Sequence, residues 1–303
     1  MQTLPIKYLN RKEIDDQKWD LGISNAINAL PYAYCYFLDN MAPEWSALIV
    51  GDYEVLMPLT WKKKWGIRYL YQPHFIQQLG IFSDTKISDN HVDVFMAALK
   101  NRFRFAEIFL NFDNQLKGAP ARRNYILLLK PGYEQIRSCY KNDLLKNLRL
   151  TARETFTFKG GDLDDTLQSY QHEYKHRIPH VKSTDYEAFR QVCLSADSKN
   201  KLVIRSVTDA DGSRLSSAVL INDAGRLILL LSVTSRSGRS RSANHYLIDQ
   251  LIREFSGQDL VLDFEGSDIP GIAHFYSNFG ATDQPYYFYR YNRLPWWIRL
   301  IKP

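Results

Sequence analysis

Residues 226–280 read RLILLLSVTSRSGRSRSANHYLIDQLIREFSGQDLVLDFEGSDIPGIAHFYSNFG. Residues 227–231 are all aliphatic and Val233 extends the run, the pattern of a buried strand. A loop rich in serine and arginine, 234–242, follows. Leu247, Ile248, Leu251, Ile252 and Phe255 then recur at helical spacing, which puts one apolar face on a helix over 243–255. Residues 260–264 form a second buried-type strand. Pro270 opens a short helix over 270–279, and Gly280 stops it. Strand, helix and strand in succession place the two strands parallel. Ligands bind beyond the carboxyl ends of such strands, here 233–235 and 263–267.

Working outward, 202–208, 216–222 and 226–233 read as three strands, with turns at Asp211-Gly212 and Asp223-Ala224-Gly225. Helical patterns at 133–154, 163–174 and 186–196 precede them, and Lys130-Pro131-Gly132 punctuates the chain before that. The first part opens with a helix over 16–29. A hairpin of 47–50 and 54–60 turns at Gly51-Asp52, and strands are expected at 67–72 and 76–82. A helix over 91–102 and strands at 106–112 and 125–129 follow. A last strand covers 286–291. One order of elements thus occurs twice, which predicts two domains, 1–132 and 133–303.

The chain has 303 residues, 45% hydrophobic, 24% charged and 14% aromatic, with a net charge of +6. These values exclude a wholly disordered chain and a histone-like tail, and allow a large core. Three scattered cysteines, Cys35, Cys139 and Cys193, without a CxxC pair, argue against a disulfide scaffold or a structural zinc site. No metal site is expected. No apolar run approaches the ~18–20 residues of a membrane span, and the first residues lack a signal-peptide stretch, so a cytoplasmic location is expected.

The strand–loop–helix–strand core, with Ala273, Tyr276 and Gly280 on its last helix, resembles the GNAT acyltransferases, which carry an Ala, a Tyr and then a Gly there. The twofold element order and the run Val261-Leu262-Asp263-Phe264-Glu265-Gly266 resemble more specifically the Fem-type branch, which includes the aminoacyl transferases of peptidoglycan synthesis. The resemblance implies an α/β (α+β, mixed-sheet) fold of two tandem GNAT-like domains. Each would be a mixed, mostly antiparallel sheet with helices on both faces, and the C-terminal one would carry the active site. It implies an acyltransferase that moves an acyl or aminoacyl group to an amine by direct attack. Acyl-CoA and aminoacyl-tRNA are the two donors it leaves open. Acyl-CoA enzymes of this kind carry a Gln/Arg-x-x-Gly-x-Gly/Ala loop, a spacing that Arg236-Ser237-Gly238-Arg239-Ser240-Arg241 does not match.

Residue types then suggest roles. The resemblance assigns Tyr276 to protonating or orienting the leaving group. Glu265 or Asp263 would take the proton of the attacking amine, since residues two apart on a strand share a face. Asp268 reads as a helix cap before Pro270. Backbone N–H groups near 233–234 would hold the oxyanion. Ser235, Arg236, Gly238, Arg239, Ser240, Arg241 and Ser242 would seat a pyrophosphate or another anion, because helix N-termini and guanidiniums both favour phosphate. Gln72, His74, Gln77 and Gln78 would line a substrate cleft between the domains. Lys141, Lys146, Arg149 and Arg153 form a basic helical stretch that could meet tRNA phosphates. Trp61-Lys62-Lys63-Lys64-Trp65 and the C-terminal tail from Trp296 to Lys302 mix aromatics with bases, and the tail would give peripheral membrane contact. The alternatives are a non-catalytic ligand-binding protein on a degenerate tandem fold, or a peripheral protein acting on lipid-linked substrates.

Overall fold

The structure, a computed structural model, describes residues 5–266, 268–300 and 302. Ser267, at the end of the second expected strand, and Ile301, in the aromatic tail, lie outside the described residues. In chain order come β1 (Lys7–Asn10), α1 (Asp16–Asn25), α2 (Cys35–Met41), β2 (Ser46–Val50), β3 (Val55–Leu59), β4 (Trp61–Lys64), β5 (Ile67–Leu70), β6 (Phe82–Ser83), α3 (Asp89–Lys100), β7 (Phe105–Leu110) and β8 (Ala121–Arg122). Next are β9 (Tyr125–Leu128), α4 (Tyr133–Arg137), α5 (Asn142–Thr151), β10 (Thr157–Gly160), α6 (Leu163–Tyr174), α7 (Ser183–Asp197), β11 (Leu202–Thr208), β12 (Arg214–Asp223) and β13 (Arg226–Thr234). Last are α8 (Arg236–Ser240), α9 (Ala243–Phe255), β14 (Val261–Asp263), α10 (Pro270–Ser277), β15 (Thr282–Asp283), β16 (Tyr286–Asn292) and α11 (Trp296–Arg299).

Two compact units result, one made of Met1–Arg122 with Pro285–Pro303, the other of Arg123–Gln284. The division therefore departs from the expected 132/133 boundary at both ends. Strand pairing is the reason: β9 ladders with β14 and β15, while β16 ladders with β7 and β8.

The first unit holds two sheets where a single one was expected, ordered β1-β2-β3-β6 and β4-β5-β7-β16-β8. Leu48 and Met57 of the first sheet, Phe95, Met96 and Leu99 of α3, and Ala106, Ile108 and Leu110 of β7 share one buried cluster. Around α1, Trp19 is fully buried, donates its indole N–H to the Ala33 carbonyl at 2.7 Å and lies 4.9 Å from the Trp45 ring. The helix expected over 16–29 ends at Asn25, because Ala26 turns extended and Asn28 points inward. There the buried side chains of Asn28, Asn111 and Asn114 all donate to the Ile81 carbonyl, at 2.8, 3.1 and 2.9 Å. These side-chain bonds replace ladder bonds, so most of the strand expected at 76–82 is irregular chain.

The second unit is one sheet, β10-β11-β12-β13-β14-β9-β15, parallel only between β13 and β14. Leu247, Ile248, Leu251 and Ile252 of α9 are fully buried against Leu227 and Leu229 of β13 and against residues of α4, α5 and α10. Alternation sends Ile228 to the opposite side of the sheet. Helices α6 and α7 lie against β11, β12 and β13, with Phe189 and Val192 buried outside the α9 cluster. The helix expected over 133–154 breaks at 138–141, where the Lys141 amide donates to the Asn278 carbonyl at 2.9 Å. The three cysteines are free thiols, and no described helix is long and apolar enough to cross a membrane.

Truncating Leu251, which is fully buried between α9 and the sheet, to alanine removes its Cγ and both methyl groups and leaves a cavity. Leu251→Ala is expected to lower the stability of the second unit by about 2–5 kcal/mol, read from urea denaturation.

Candidate active site

The site begins where β13 and β14 part. They pair only from Arg226–Val261 to Ile228–Asp263, yet β13 runs on to Thr234. Past Ile228 no described strand ladders with that edge of β13, so its backbone groups face a gap instead of a neighbour. Leu230 is the bulged residue in the pairing with β12, where Val219 faces Leu231 and Leu220 faces Leu229. Bulges re-aim backbone groups beside ligand sites.

The corner after β14 closes one side of the gap. Asp263 is buried and paired with the buried Arg226 at 2.9 Å. Its other oxygen accepts from the Asn124 amide group and from the Glu265 backbone N–H, each at 3.0 Å. Arg226 also donates to Gln284 at 2.9 Å, and the Gly266 N–H donates to Asn124 at 2.7 Å. Both oxygens of Asp263 are thus committed, which corrects its expected role as a base: it is a structural anion. Nor does it share a face with Glu265. The strand ends at Asp263, and Glu265 takes a left-handed φ of 49°. That conformation costs a residue with a side chain about 1–3 kcal/mol and persists only where the surroundings enforce it.

Tyr276 sits on α10, whose Pro270 starts the helix and whose Ala273 is buried. Its ring stacks on Phe264 at 4.6 Å with 21° between the planes. Burial pushes its phenol well above the ordinary tyrosine range, and the charges of Glu265, Tyr174 and Tyr170 push in the same direction. Tyr170 is raised by burial, Tyr186, Tyr174 and Glu265. Tyr276, Glu265, Tyr170 and Tyr174 therefore share one electrostatic neighbourhood, and the rings of Tyr170 and Tyr174 lie 4.8 Å apart. Sequence reading singled out Tyr276 and Glu265 but missed the α6 pair. The available signal was two tyrosines four apart on one helix face. On the same helix, Gln168, His172 and Glu173 border a cavity of about 260 Å³, closed on the other side by Ser216, Ser217 and Ser235.

The loop expected to seat an anion folds differently. Residues 236–240 form the short helix α8, capped by the Ser235 hydroxyl, which accepts from the Gly238 N–H at 3.0 Å. Arg239 donates to the Thr234 carbonyl at 2.5 Å and pairs with Glu173 at 3.0 Å. Arg241 pairs with Glu154, and with Asp209 at 3.2 Å. Ser240 donates to the Ser237 carbonyl and Ser242 to Asn147. Gly238 is buried on β12, where an added Cβ would lie 2.2 Å from the Leu215 carbonyl oxygen. Only Arg236 is exposed and unpaired by any carboxylate among the described residues. Two of the three guanidiniums are neutralised, so this loop does not fit the pyrophosphate of a nucleotide donor. No cluster of three or more potential metal ligands occurs among the described residues.

Of the residues expected to bind substrate, Gln72 donates to the Ile76 carbonyl and accepts from the Phe109 N–H. Gln78 is fully buried, donates to Gln77 and accepts from the Phe112 N–H. Gln72 thus holds the backbone of β7 and Gln78 the backbone just after it, a structural task in place of the expected one. His74 and Gln77 also lie in the first unit and have partners of their own. Asp268 accepts from the Arg123 N–H at 3.2 Å. Lys141, Lys146, Arg149 and Arg153 are exposed along α5 and its ends.

A mixed sheet with parted parallel strands and a helix between them is the GNAT fold. The whole chain superposes on FemX with a TM-score of 0.65 at 12% identity, covering 98% of this chain and 100% of that one. It is also similar to L-PGS from Bacillus licheniformis (TM-score 0.53, 10% identity, 95% of each chain). A third similar structure is the C-terminal domain (DUF2156) of a candidate lysylphosphatidylglycerol synthetase from Agrobacterium fabrum (TM-score 0.55, 12% identity, 93% of each chain). No protein-family model matches the chain, and no curated protein matches it in sequence.

Arg226→Met would leave the Asp263 charge buried without its partner, an expected loss of about 3–5 kcal/mol. The double substitution Arg226→Met/Asp263→Leu should recover much of that loss in the same denaturation measurement, because it removes both charges. Gly238→Ala should also destabilise the unit, by forcing α8 off β12.

Proposed function

We propose that the second unit transfers an acyl or aminoacyl group to an amine by direct attack in the gap between β13 and β14. The observation that carries this reading is the stacking of Tyr276 on Phe264, the residue between Asp263 and Glu265, beside the parted strands. The amine nitrogen attacks the acyl carbonyl carbon, and its proton passes to Glu265, directly or through one water. Backbone N–H groups on the open edge of β13 hold the oxyanion. As the carbon–sulfur or carbon–oxygen bond to the donor breaks, the Tyr276 phenol protonates the leaving atom. The phenol holds its proton at neutral pH and gives it up only as the leaving atom accumulates charge.

For the donor, the neutralised arginines of the 234–242 loop weigh against acyl-CoA, whereas the exposed bases of α5 can meet tRNA phosphates. Aminoacyl-tRNA is therefore the donor we favour, and an amine-bearing small molecule or peptide the acceptor. The neutralised loop also gives substance to a second reading, a protein on the same fold that binds such a ligand without turning it over.

Kinetics of Tyr276→Phe and Glu265→Gln separate the two. An enzyme should lose about 10²–10⁴-fold in kcat in each variant with little change in donor affinity. Unchanged turnover in both variants would remove the site from the chemistry. Since the Tyr276 pKa is raised, the step that needs its proton should hold its rate at pH 10, where an ordinary tyrosine is half ionised, and fall only above it. Free CoA at 100 times its dissociation constant would add ~2.7 kcal/mol of stability. The expected thermal shift with millimolar CoA is nil, and a saturable shift would reinstate acyl-CoA as donor.

A further inference from the structure

Two stretches far apart in the sequence contain no acidic residue, 60–71 (TWKKKWGIRYLY) and 285–303 (PYYFYRYNRLPWWIRLIKP). The first unit brings them together. Leu294 and Ile298 of the tail form a buried cluster with Phe105, against which Ile67 and Tyr69 of β5 pack. Lys62 stands opposite Tyr69 and Lys64 opposite Ile67, so both lysines lie on the sheet face that α11 covers. Their ammonium groups ride over aromatic rings, Lys62 at 4.2 Å from Tyr71 and Lys64 at 4.7 Å from Trp65. A cavity of about 400 Å³ opens between the two stretches, bordered by Trp65, Tyr69, Phe105, Ile298, Lys64 and Lys302.

The surroundings of this cavity are apolar and basic at once. Trp65, Trp296, Trp297 and Leu300 are 62, 71, 51 and 78% exposed. Glu107, the one acid at the cavity among the described residues, is already matched by Arg290 at 3.1 Å and Lys302 at 2.8 Å. Lys62, Lys63, Lys64 and Arg299 face no carboxylate partner among the described residues. Large exposed apolar patches mark interaction surfaces. Indoles rimmed by lysine and arginine fit one partner above others, since rings settle at the headgroup level while cations meet lipid phosphates.

The geometry points to this face as a docking surface for a bilayer rich in anionic phospholipid, with Trp65, Trp296, Trp297 and Leu300 entering the interface and the lysines binding headgroup phosphate. It does not depend on the acyl-transfer reading, because it lies in the other unit and its test involves no turnover. The full chain should co-sediment with vesicles of phosphatidylcholine containing a third of phosphatidylglycerol and stay free of pure phosphatidylcholine vesicles. Raising salt from about 50 to about 300 mM should weaken binding at least tenfold, as screening shortens the reach of surface charge. Trp296→Ala/Trp297→Ala should lower affinity about tenfold with the melting curve unchanged, and Lys62→Gln/Lys64→Gln should flatten the salt dependence. Should the tryptophan variant fold poorly, quenching of the wild-type indoles by brominated lipid reads insertion directly. No sedimentation with the anionic vesicles at low salt overturns the proposal. So does vesicle binding that survives both double substitutions, or tRNA binding by the same lysines in a protein that ignores vesicles.

Discussion

Asp263 and Arg226 pair in the interior of the second unit, and the rest of the site hangs on that pair. Two charges withdrawn from water are tolerable only when they find each other and every remaining lone pair and N–H is met. Here those demands recruit Asn124, the amide of Glu265 and Gln284, so four separate segments of chain are held at one point. The end of β14, the direction in which the chain leaves it and the left-handed turn at Glu265 all follow from satisfying one buried carboxylate. Asn124 is the hinge of the arrangement, its NH₂ group donating to Asp263 and its side-chain carbonyl oxygen accepting from the Gly266 N–H.

The two carboxylates of the corner show how environment sorts chemically identical groups. Asp263 is saturated with donors and works as scaffold. Glu265, two residues on, is set by a strained backbone among tyrosines and phenylalanines, where a charge acts on its neighbours over a longer reach than in water. Tyr276 gains from both. Its ring is fixed on Phe264, within the run that Asp263 anchors, and its proton is held by the poorly solvating surroundings.

The strand–helix–strand core was legible because its elements are long, apolar and strongly periodic: β13, α9 and β14 fall where 227–233, 243–255 and 260–264 predicted them. Tyr276 and Glu265 drew attention through the motif that carries the family resemblance, and the roles proposed for them start from that motif. Other features depend on distant side chains and leave no local trace. Helix α2 is only seven residues long, so its half-buried face of Tyr36, Asp39 and Asn40 spans too few turns to announce a helix. The segment before β6 loses its ladder to three asparagines that come from residues 28, 111 and 114. The arginines of the 234–242 loop look available to an anion until Glu154, Glu173 and Asp209 fold in from elsewhere in the chain. Gln72 and Gln78 look like ligand-binding polarity in an apolar stretch, and turn out to be bound to the backbone at 109 and 112.

The return of β16 to the first unit has a consequence for how the protein comes into being. That strand joins β7 to β8, and β8 has no other ladder among the described residues. Synthesis at ~5–20 residues per second delivers the whole of 123–284 before residues 286–292 appear. The inserted unit is contiguous and can close as it emerges, while the outer one must wait with an open sheet edge on β7. During that interval the edge can recruit a strand from another chain, the hazard that unpaired edges carry. A truncation within 286–292 would thus injure a unit that, apart from its C-terminal return, is built wholly from residues before 123, and would reveal itself as aggregation during synthesis.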